Sequence, residues 1–300
     1  MRIGFIGLGA IGAPIASRLR EAGHGLLVYD IRPEATAPFA AIAQVARSAR
    51  ELGERAEVIF ACLASADAHR LALVSEQGAS RGRAMRLLVN LGTVGAPFIR
   101  EIAAALQARG VDTLDAPVTG GVGRARDGSL TAIISGPRSC FDRIEPLMAS
   151  YASKRVWMGP QAGGAQVMKV VNNAVSLANL VSAGEALIVG ARAGLDPATM
   201  IDVINHGSGQ NSATLMKFPA AILNGRFNFG GALRIVIKDL EAFIAEAASQ
   251  GQEVPHARLV LESYRVAAIE MSPDADVTEV VRPLERRAGV ELRLAQPPRT

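Results

Sequence analysis

Residues 3–12 read Ile-Gly-Phe-Ile-Gly-Leu-Gly-Ala-Ile-Gly, a short apolar run followed by the pattern Gly-x-Gly-x-x-Gly. The glycine pattern alone is weakly specific. Here it follows an expected strand, opens an expected helix at 13–23 and precedes a second expected strand at 25–30 that ends in an acidic residue. In that setting the glycines permit a tight turn, close approach of a pyrophosphate, and close packing of helix on strand. We predict a dinucleotide-binding turn formed by Gly7, Leu8, Gly9, Ala10, Ile11 and Gly12.

The end of the second expected strand bears on the choice of cofactor. We expect the carboxylate of Asp30 to accept hydrogen bonds from the adenosine ribose hydroxyls and to repel a 2′-phosphate, which favours NAD over NADP. Arg32 leaves the other choice open, because an arginine at this place can bind a 2′-phosphate, although it can equally be a solvated loop residue. The prediction is NAD, with NADP less favoured.

Apolar runs and helical patterns alternate through the first half of the chain. Short alternating elements of this kind indicate a parallel sheet with both faces covered by helices. Further strands are expected at 58–63, 87–91, 111–115 and 131–135, and helices at 35–43 and 96–109.

The pattern changes near residue 160. Residues 165–193 are apolar and rich in Ala and Val, which is typical of one long helix, and the polar residues within it argue against a membrane span. We predict an α/β fold with an N-terminal Rossmann-type dinucleotide-binding domain and an all-α C-terminal domain joined by a long helix. The expected domains are 1–162 and 163–295, with a disordered tail at 296–300, and the expected later helices are 197–206, 212–224, 232–250 and 255–271.

The composition argues against several classes of protein. The formal net charge is only +4 and the basic residues are scattered, which is not the pattern of a nucleic-acid surface. Cys62 and Cys140 form no Cys-x-x-Cys pair, and the N-terminal residues lack the pattern of a signal peptide, so we expect a cytoplasmic protein. The four histidines show no metal-ligand spacing, and we predict no metal.

Lysine is scarce in this chain, because arginine supplies most of its positive charge. A partly buried lysine can release a proton at ordinary pH, whereas an arginine cannot. Lys169 lies in the long apolar helix and is therefore a candidate acid–base residue. The four lysines are Lys154, Lys169, Lys217 and Lys238.

Four separated segments resemble, in order, the motifs of the β-hydroxyacid dehydrogenases, the family of 3-hydroxyisobutyrate dehydrogenase. They are 7–16 (Gly-Leu-Gly-Ala-Ile-Gly-Ala-Pro-Ile-Ala), 115–121 (Asp-Ala-Pro-Val-Thr-Gly-Gly), 169–173 (Lys-Val-Val-Asn-Asn) and 238–240 (Lys-Asp-Leu). The resemblance covers nearly the whole chain. It implies NAD-dependent oxidation of a small 3-hydroxy acid and a homodimer or homotetramer.

The resemblance also implies roles for individual residues. Lys169 would take the hydroxyl proton, its pKa lowered by loss of water, and Asn173, four residues on, would lie on the same face of the helix. Backbone N–H groups and the hydroxyl of the segment at 119–121 would bind the substrate carboxylate. The implied catalytic residues are Lys169 and Asn173; the substrate contacts are Thr119, Gly120, Gly121 and Asn173; the cofactor contacts beyond the turn are Leu63, Ala64, Thr93 and Lys238. Asp239 is interpreted as structural.

Two stretches depart from the family pattern, and the second of them leaves the substrate open. Residues 90–93 are Asn-Leu-Gly-Thr where Asp-Ser-Ser-Thr is usual, and residues 211–219, which border the substrate in the family, differ from those of its best-known members. 3-Hydroxyisobutyrate, L-serine, 4-hydroxybutyrate and larger acids all remain open as substrates. The alternatives are an imine or semialdehyde reductase, which Lys169 argues against, and a non-catalytic NAD-binding regulatory protein.

Overall fold

The structure, a computed structural model, describes residues 2–294, so the predicted tail at 296–300 lies outside the described residues. The chain divides into two compact units between Lys169 and Val170.

The first unit contains a six-stranded parallel sheet formed by β1 (Ile3–Ile6), β2 (Leu26–Tyr29), β3 (Gln44–Val45), β4 (Val58–Ala61), β5 (Leu87–Asn90) and β6 (Asp112–Asp115). The strand order is β3-β2-β1-β4-β5-β6. The order changes direction beside β1, and doubly wound sheets bind ligands at that point, outside the carboxyl ends of the strands. The predicted Rossmann-type sheet is therefore confirmed, and the short β3 is an addition to it.

Apolar side chains cover both faces of this sheet. Neighbouring residues of a strand point to opposite faces, and accordingly Phe60 packs in one core while Ile59 packs in another. The rings of Phe5 and Phe60 stack at 6.1 Å in the first of these cores. The helices of this unit are α1 (Gly12–Glu21), α2 (Pro33–Thr36), α3 (Ala49–Arg55), α4 (Ala66–His69), α5 (Ala96–Gln107), α6 (Gly121–Asp127), α7 (Arg138–Met148) and the first turns of α8 (Gly164–Arg192).

A second, three-stranded sheet also belongs to the first unit. It consists of β7 (Val118–Thr119), β8 (Leu130–Ile134) and β9 (Ala152–Trp157), in that order, with β7 antiparallel and β9 parallel to β8. The strand expected at 131–135 thus pairs here and not in the large sheet. Only two residues separate β6 from β7, which is too short for the crossover that a parallel neighbour requires.

The second unit is helical, as predicted. Its core packs around Leu180, Phe218 and Tyr264, and the pairing seen within its described residues is an isolated bridge between Ala232 and Asp276. Its elements are the rest of α8, α9 (Pro197–His206), a π-helical segment at Ala213–Ile222, α10 (Leu233–Ser249), α11 (Pro255–Glu270), a 3₁₀ turn at Val277–Val281 and α12 (Arg282–Ala288).

The segment expected as a helix at 212–224 is wound as a π-helix. Pro219 lies inside it and has no N–H group, so the regular hydrogen-bond ladder cannot continue through this turn. The amide of Leu223 donates to the carbonyl of Phe218, five residues back, at 2.9 Å.

By length and composition, α8 would be able to cross a membrane, and 39% of its most apolar window is buried. The core helix of a globular domain passes the same test, so this feature carries little weight.

Candidate active site

The glycine-rich turn links β1 to α1 and needs two of its glycines for steric reasons. Gly7 has φ +91°, and a Cβ there would collide with the carbonyl oxygen of Cys62. A Cβ on Gly12 would collide with the carbonyl oxygen of Gly7. The turn is therefore closed so tightly that larger residues at these two positions would force it open.

The same turn fits a pyrophosphate. A Cβ built on Gly9 would meet nothing within 4 Å, so the backbone at this position faces open space. The N-terminus of α1 has no side-chain cap, and its first turn holds no acidic residue. Free N–H groups at the positive end of a helix dipole are the groups that bind phosphate oxygens.

Asp30 and Arg32 lie together beside this turn. The backbone amide of Leu8 donates to Oδ2 of Asp30 at 2.7 Å, while the backbone amide and Nε of Arg32 donate to Oδ1 at 2.9 and 3.2 Å. Burial would raise the pKa of the Asp30 carboxyl, but the hydrogen bonds from Arg32 and Leu8 outweigh it and hold the pKa below its usual value. Asp30 is thus an ionised acceptor whose side chain is only 6% exposed, and the Arg32 side chain that covers it is 54% exposed.

The other expected cofactor contacts of the first unit follow strand ends. Leu63 and Ala64 come just after β4, and Thr93 lies between β5 and α5. These strands are parallel neighbours of β1 or of each other, so the three residues share the carboxyl edge of the sheet with the glycine-rich turn. Cys62 precedes them, and burial of its sulfur raises the pKa of the thiol to about 12, which does not suit a nucleophile.

Gln166 joins the loop that carries Thr93 to the first turn of α8. Its Oε1 accepts from the backbone amides of Val94 and Gly95 at 2.8 and 3.0 Å. Its Nε2 donates to the carbonyl oxygen of Gly92 at 3.0 Å and to Oδ1 of Asp115 at 2.7 Å. The side-chain amide of Gln166 therefore holds the loop at 92–95 in two ways: it accepts from backbone N–H groups of the loop and donates to a backbone carbonyl of the same loop.

The network continues through Asn90 to His69. Nδ2 of Asn90 donates to Asp115 and to the carbonyl of Gly92, both at 3.0 Å, and its Oδ1 lies 2.8 Å from Nε2 of His69. Nδ1 of His69 lies 2.7 Å from the carbonyl oxygen of Ser65. Burial raises the pKa of Asp115 to about 6, against the effect of the hydrogen bonds from Gln166 and Asn90. Asn90, the departure from the usual Asp, thus supplies a neutral donor where a second carboxylate would face Asp115.

Thr119, Gly120 and Gly121 form the turn between β7 and α6. Gly120 and Gly121 have φ +134° and +80°, a backbone region that favours glycine. A Cβ on Gly121 would meet nothing within 4 Å, so the turn is open on that side. The geometry is compatible with backbone N–H groups that face an anion.

The remaining predicted residues are on α8 and α10. Lys169 is half-buried in the second turn of α8. In the second unit, Nδ2 of Asn173 donates to Oδ2 of Asp239 at 2.7 Å, and Nδ2 of Asn172 donates to Oδ1 of Asn173 at 3.2 Å. Nζ of Lys238 lies 3.3 Å from Oδ1 of Asp239, so the expected cofactor residue and the expected catalytic amide meet at one carboxylate.

Asp239, interpreted from the sequence as structural, is the residue that holds the amide of Asn173. Its side chain is 6% exposed and directly orients Asn173, which lies 66 positions earlier in the chain. The Lys-Asp-Leu motif at 238–240 is the feature of the sequence that points to Asp239. Across residues 2–294 there is no group of three His, Cys, Asp or Glu side chains placed to hold a metal ion.

Comparisons with known proteins agree with this geometry. A family profile described as the NAD binding domain of 6-phosphogluconate dehydrogenase matches residues 2–159, and one described as NAD-binding of NADP-dependent 3-hydroxyisobutyrate dehydrogenase matches residues 163–284. A 3-hydroxyisobutyrate dehydrogenase of Pseudomonas aeruginosa is 32% identical over 89% of this chain and 92% of its own length. An L-threonate dehydrogenase of Cupriavidus necator is 30% identical over 93% of this chain and 95% of its own.

Among solved structures, a 3-hydroxyisobutyrate dehydrogenase of Mycobacterium tuberculosis, described with L-serine, superimposes with a TM-score of 0.82 at 28% identity. That match covers 94% of this chain and 98% of the other. Together with the first profile, which spans more than half of the sequence, these relatives show that the chain belongs to the 3-hydroxyisobutyrate dehydrogenase-like family of NAD(P)-dependent β-hydroxyacid dehydrogenases.

Proposed function

We propose that the chain oxidises a small 3-hydroxy acid, of the 3-hydroxyisobutyrate type, to its semialdehyde or keto acid. NAD is the preferred cofactor and Lys169 the proton acceptor. The observation that carries the proposal is the pair Lys169 and Asn173, one helical turn apart on α8, with the amide of Asn173 held by Asp239. When bound, the nicotinamide ring supplies the hydride acceptor.

Two side chains of α8 would transfer the proton and bind the substrate hydroxyl. The amine of Lys169 takes the hydroxyl proton during oxidation and returns it during reduction. Asn173 binds the substrate hydroxyl through its amide, whose Nδ2 donates to Asp239 and whose Oδ1 accepts from Asn172. Asp239 acts as a positioning residue, since it fixes the amide rather than the substrate.

The substrate carboxylate binds at Thr119, Gly120 and Gly121. Two successive glycines with positive φ allow the backbone amides to turn toward one anion, and the threonine hydroxyl adds a donor.

The preference for NAD follows from Asp30. An ionised carboxylate beside the glycine-rich turn accepts hydrogen bonds from ribose hydroxyls and repels a 2′-phosphate. Arg32 is the competing influence, and its ion pair with Asp30 leaves less of its charge for a phosphate. Arg32, Leu63, Ala64 and Thr93 are proposed as cofactor contacts of the first unit and Lys238 as one of the second.

The two alternatives predict different outcomes. An imine reductase of this architecture would not need the lysine at 169, and a regulatory NAD-binding protein would not need Asn173 to be held in place. Neither alternative is favoured by a specific feature of the described residues.

A turnover screen tests the proposal. The protein is incubated with NAD or NADP and with 3-hydroxyisobutyrate, L-serine, 4-hydroxybutyrate and L-threonate, and the reduced cofactor is followed by absorbance. Turnover of at least one 3-hydroxy acid with NAD supports the proposal. Tight NAD binding without turnover of any hydroxy acid would favour the regulatory protein.

We also propose that residues 1–162 bind the cofactor and that residues 163–295 contribute substrate contacts and subunit contacts. The assembly would be a homodimer or homotetramer in the cytoplasm, with the exposed apolar residues of α8, such as Val175 and Val189, covered by another subunit. Light scattering at the outlet of a sizing column measures the assembly directly.

A further inference from the structure

Lys217 is a buried cation in the second unit that the proposed reaction does not use. It lies in the π-helical segment and is 6% exposed. Its Nζ donates to Oγ of Ser176 at 3.2 Å and lies 5.4 Å from the centre of the Phe229 ring. Within residues 2–294, the partners of this ammonium are that hydroxyl and that ring, and neither carries a negative charge.

A buried ammonium without a counter-charge is costly to a folded protein, and one hydroxyl and a distant ring compensate only part of that cost. The burial lowers the pKa of Lys217 to about 8, so the group is still mostly protonated at pH 7. We infer that this buried, protonated lysine binds an anion that is not part of the chain.

The surroundings of Lys217 match an oxyanion. Oγ of Ser176 lies 3.3 Å from Oγ of Ser212, so Ser176 links the ammonium to a second half-buried hydroxyl. Hydroxyls and an ammonium donate hydrogen bonds to an anion without adding negative charge. π-Helical turns are also found frequently at functional sites, and this one holds the lysine.

The position relates this cluster to the proposed substrate. Ser176 is three residues beyond Asn173 on α8, so the two side chains share one side of the helix about 4.5 Å apart along its axis. An anion at Lys217 would therefore lie one turn farther along α8 than a hydroxyl held by Asn173.

We propose that Lys217, Ser176 and Ser212 form a subsite for a second carboxylate, so that the favoured substrates are 3-hydroxy acids with an acidic side chain. This rests on the proposed function. It assigns to the chain a substrate class that carries a further carboxylate, which binds at the subsite within the second unit.

A matched series of 2-(hydroxymethyl) acids tests the subsite, with methyl, carboxymethyl and carboxyethyl groups on C2. We expect kcat/KM to be about 10- to 100-fold higher for the better dicarboxylate than for the methyl compound. In Lys217→Met that preference disappears while kcat/KM for the methyl compound changes little. Lys217→Arg keeps part of the preference, and Lys154→Met, at an exposed lysine of β9, keeps all of it.

A binding measurement separates this proposal from the proposed function. Glutarate, a dicarboxylate without a hydroxyl group, is titrated calorimetrically into the intact wild-type protein and into Lys217→Met, with thermal unfolding as a check of folding. Weakening of glutarate binding by about tenfold in the variant supports the subsite even if no hydroxy acid is oxidised. Equal affinity for glutarate in Ser212→Ala, Lys217→Met and the wild type overturns the proposal. So does a loss of kcat/KM in Lys217→Met that is the same for all three compounds of the kinetic series.

Discussion

Asp115 in the first unit and Lys217 in the second are both buried ionisable groups, but their surroundings differ. Asp115 is fully buried and receives amide donors from Gln166 and Asn90, which belong to a network that also includes His69. The ammonium of Lys217, which is 6% exposed, donates to a single hydroxyl, that of Ser176. Oδ1 of Asp115 is held by two amide donors of the chain, although its buried Oδ2 has no hydrogen-bond partner within residues 2–294, and this arrangement suits a structural role. In that same range, the ammonium of Lys217 has no opposite charge beside it and suits a ligand.

The largest expected effect concerns a third ionisable group, Lys169, which we expect to react rather than to hold structure or bind. Lys169→Ala should lower kcat by about 1000-fold, because no other group would take the hydroxyl proton, while the Kd for NAD changes little. Steady-state kinetics and calorimetry measure the two quantities, and Lys154→Ala is the control. Comparable turnover in the variant and the wild type would remove Lys169 from the mechanism.

The next effect tests whether the Asp115 network is structural. Gln166→Leu removes two donors and leaves the amides of Val94 and Gly95 without their acceptor, so the free energy of unfolding should fall by about 3 kcal/mol. Urea denaturation measures this, with Gln107→Leu at the exposed end of α5 as the control. A loss no larger than that of the control would show that the network contributes little.

The pH dependence of stability isolates Asp115 itself. Its folded pKa of about 6 lies above the value of an unfolded Asp, so the folded state binds the proton more tightly and stability falls as the pH rises from about 4 to about 6. The contribution is on the order of 3 kcal/mol. Asp115→Asn should flatten this part of the profile, whereas Asp127→Asn, at an exposed position, should not. An unchanged slope in Asp115→Asn would place the titration elsewhere.

The smallest effect contrasts Asp115 with Asp30, a carboxyl whose pKa is shifted in the opposite direction. Asp30→Ala should reduce the preference for NAD over NADP by about tenfold, because it removes the charge that repels the 2′-phosphate and releases Arg32. The ratio of the two kcat/KM values measures it, and Asp67→Ala, at a solvated position, is the control. Retention of the wild-type ratio would contradict the ribose role.

Local sequence was sufficient for the elements whose signal is local. The glycine-rich turn, the apolar strands of the large sheet and the long α8 each follow from spacing and composition within one segment, and the fold class and family were confirmed. The sequence does not predict β7, which has two residues, or β9, whose residues 153–155 are Ser-Lys-Arg, because neither strand contains a long apolar run. The sequence predicts an ordinary helix where the π-helical segment lies, since Pro219 changes its hydrogen bonds without changing its apolar pattern.

The candidate site was predictable only where a motif carried it. The bond between Asn173 and Asp239 joins positions far apart in the chain, so a local interpretation placed Asp239 among structural residues. The sequence identifies Lys217 only as one of four lysines and predicts no role for it. Its burial and its serine neighbours depend on how α8 packs against the π-helical segment, which no pattern within either segment reports.

The hydrogen bonds of Gln166 have a consequence for the design of chimeras between this chain and a relative. The long helix begins as part of the first unit, because the amide in its first turn is bonded to the loop at 92–95 and to β6. A chimera joined at residue 163 would import a foreign helix start and lose those bonds unless the donor also carries glutamine there. A junction after residue 169 keeps the four hydrogen bonds of Gln166. The rest of α8, from its third turn onward, can then be exchanged as one uninterrupted helix.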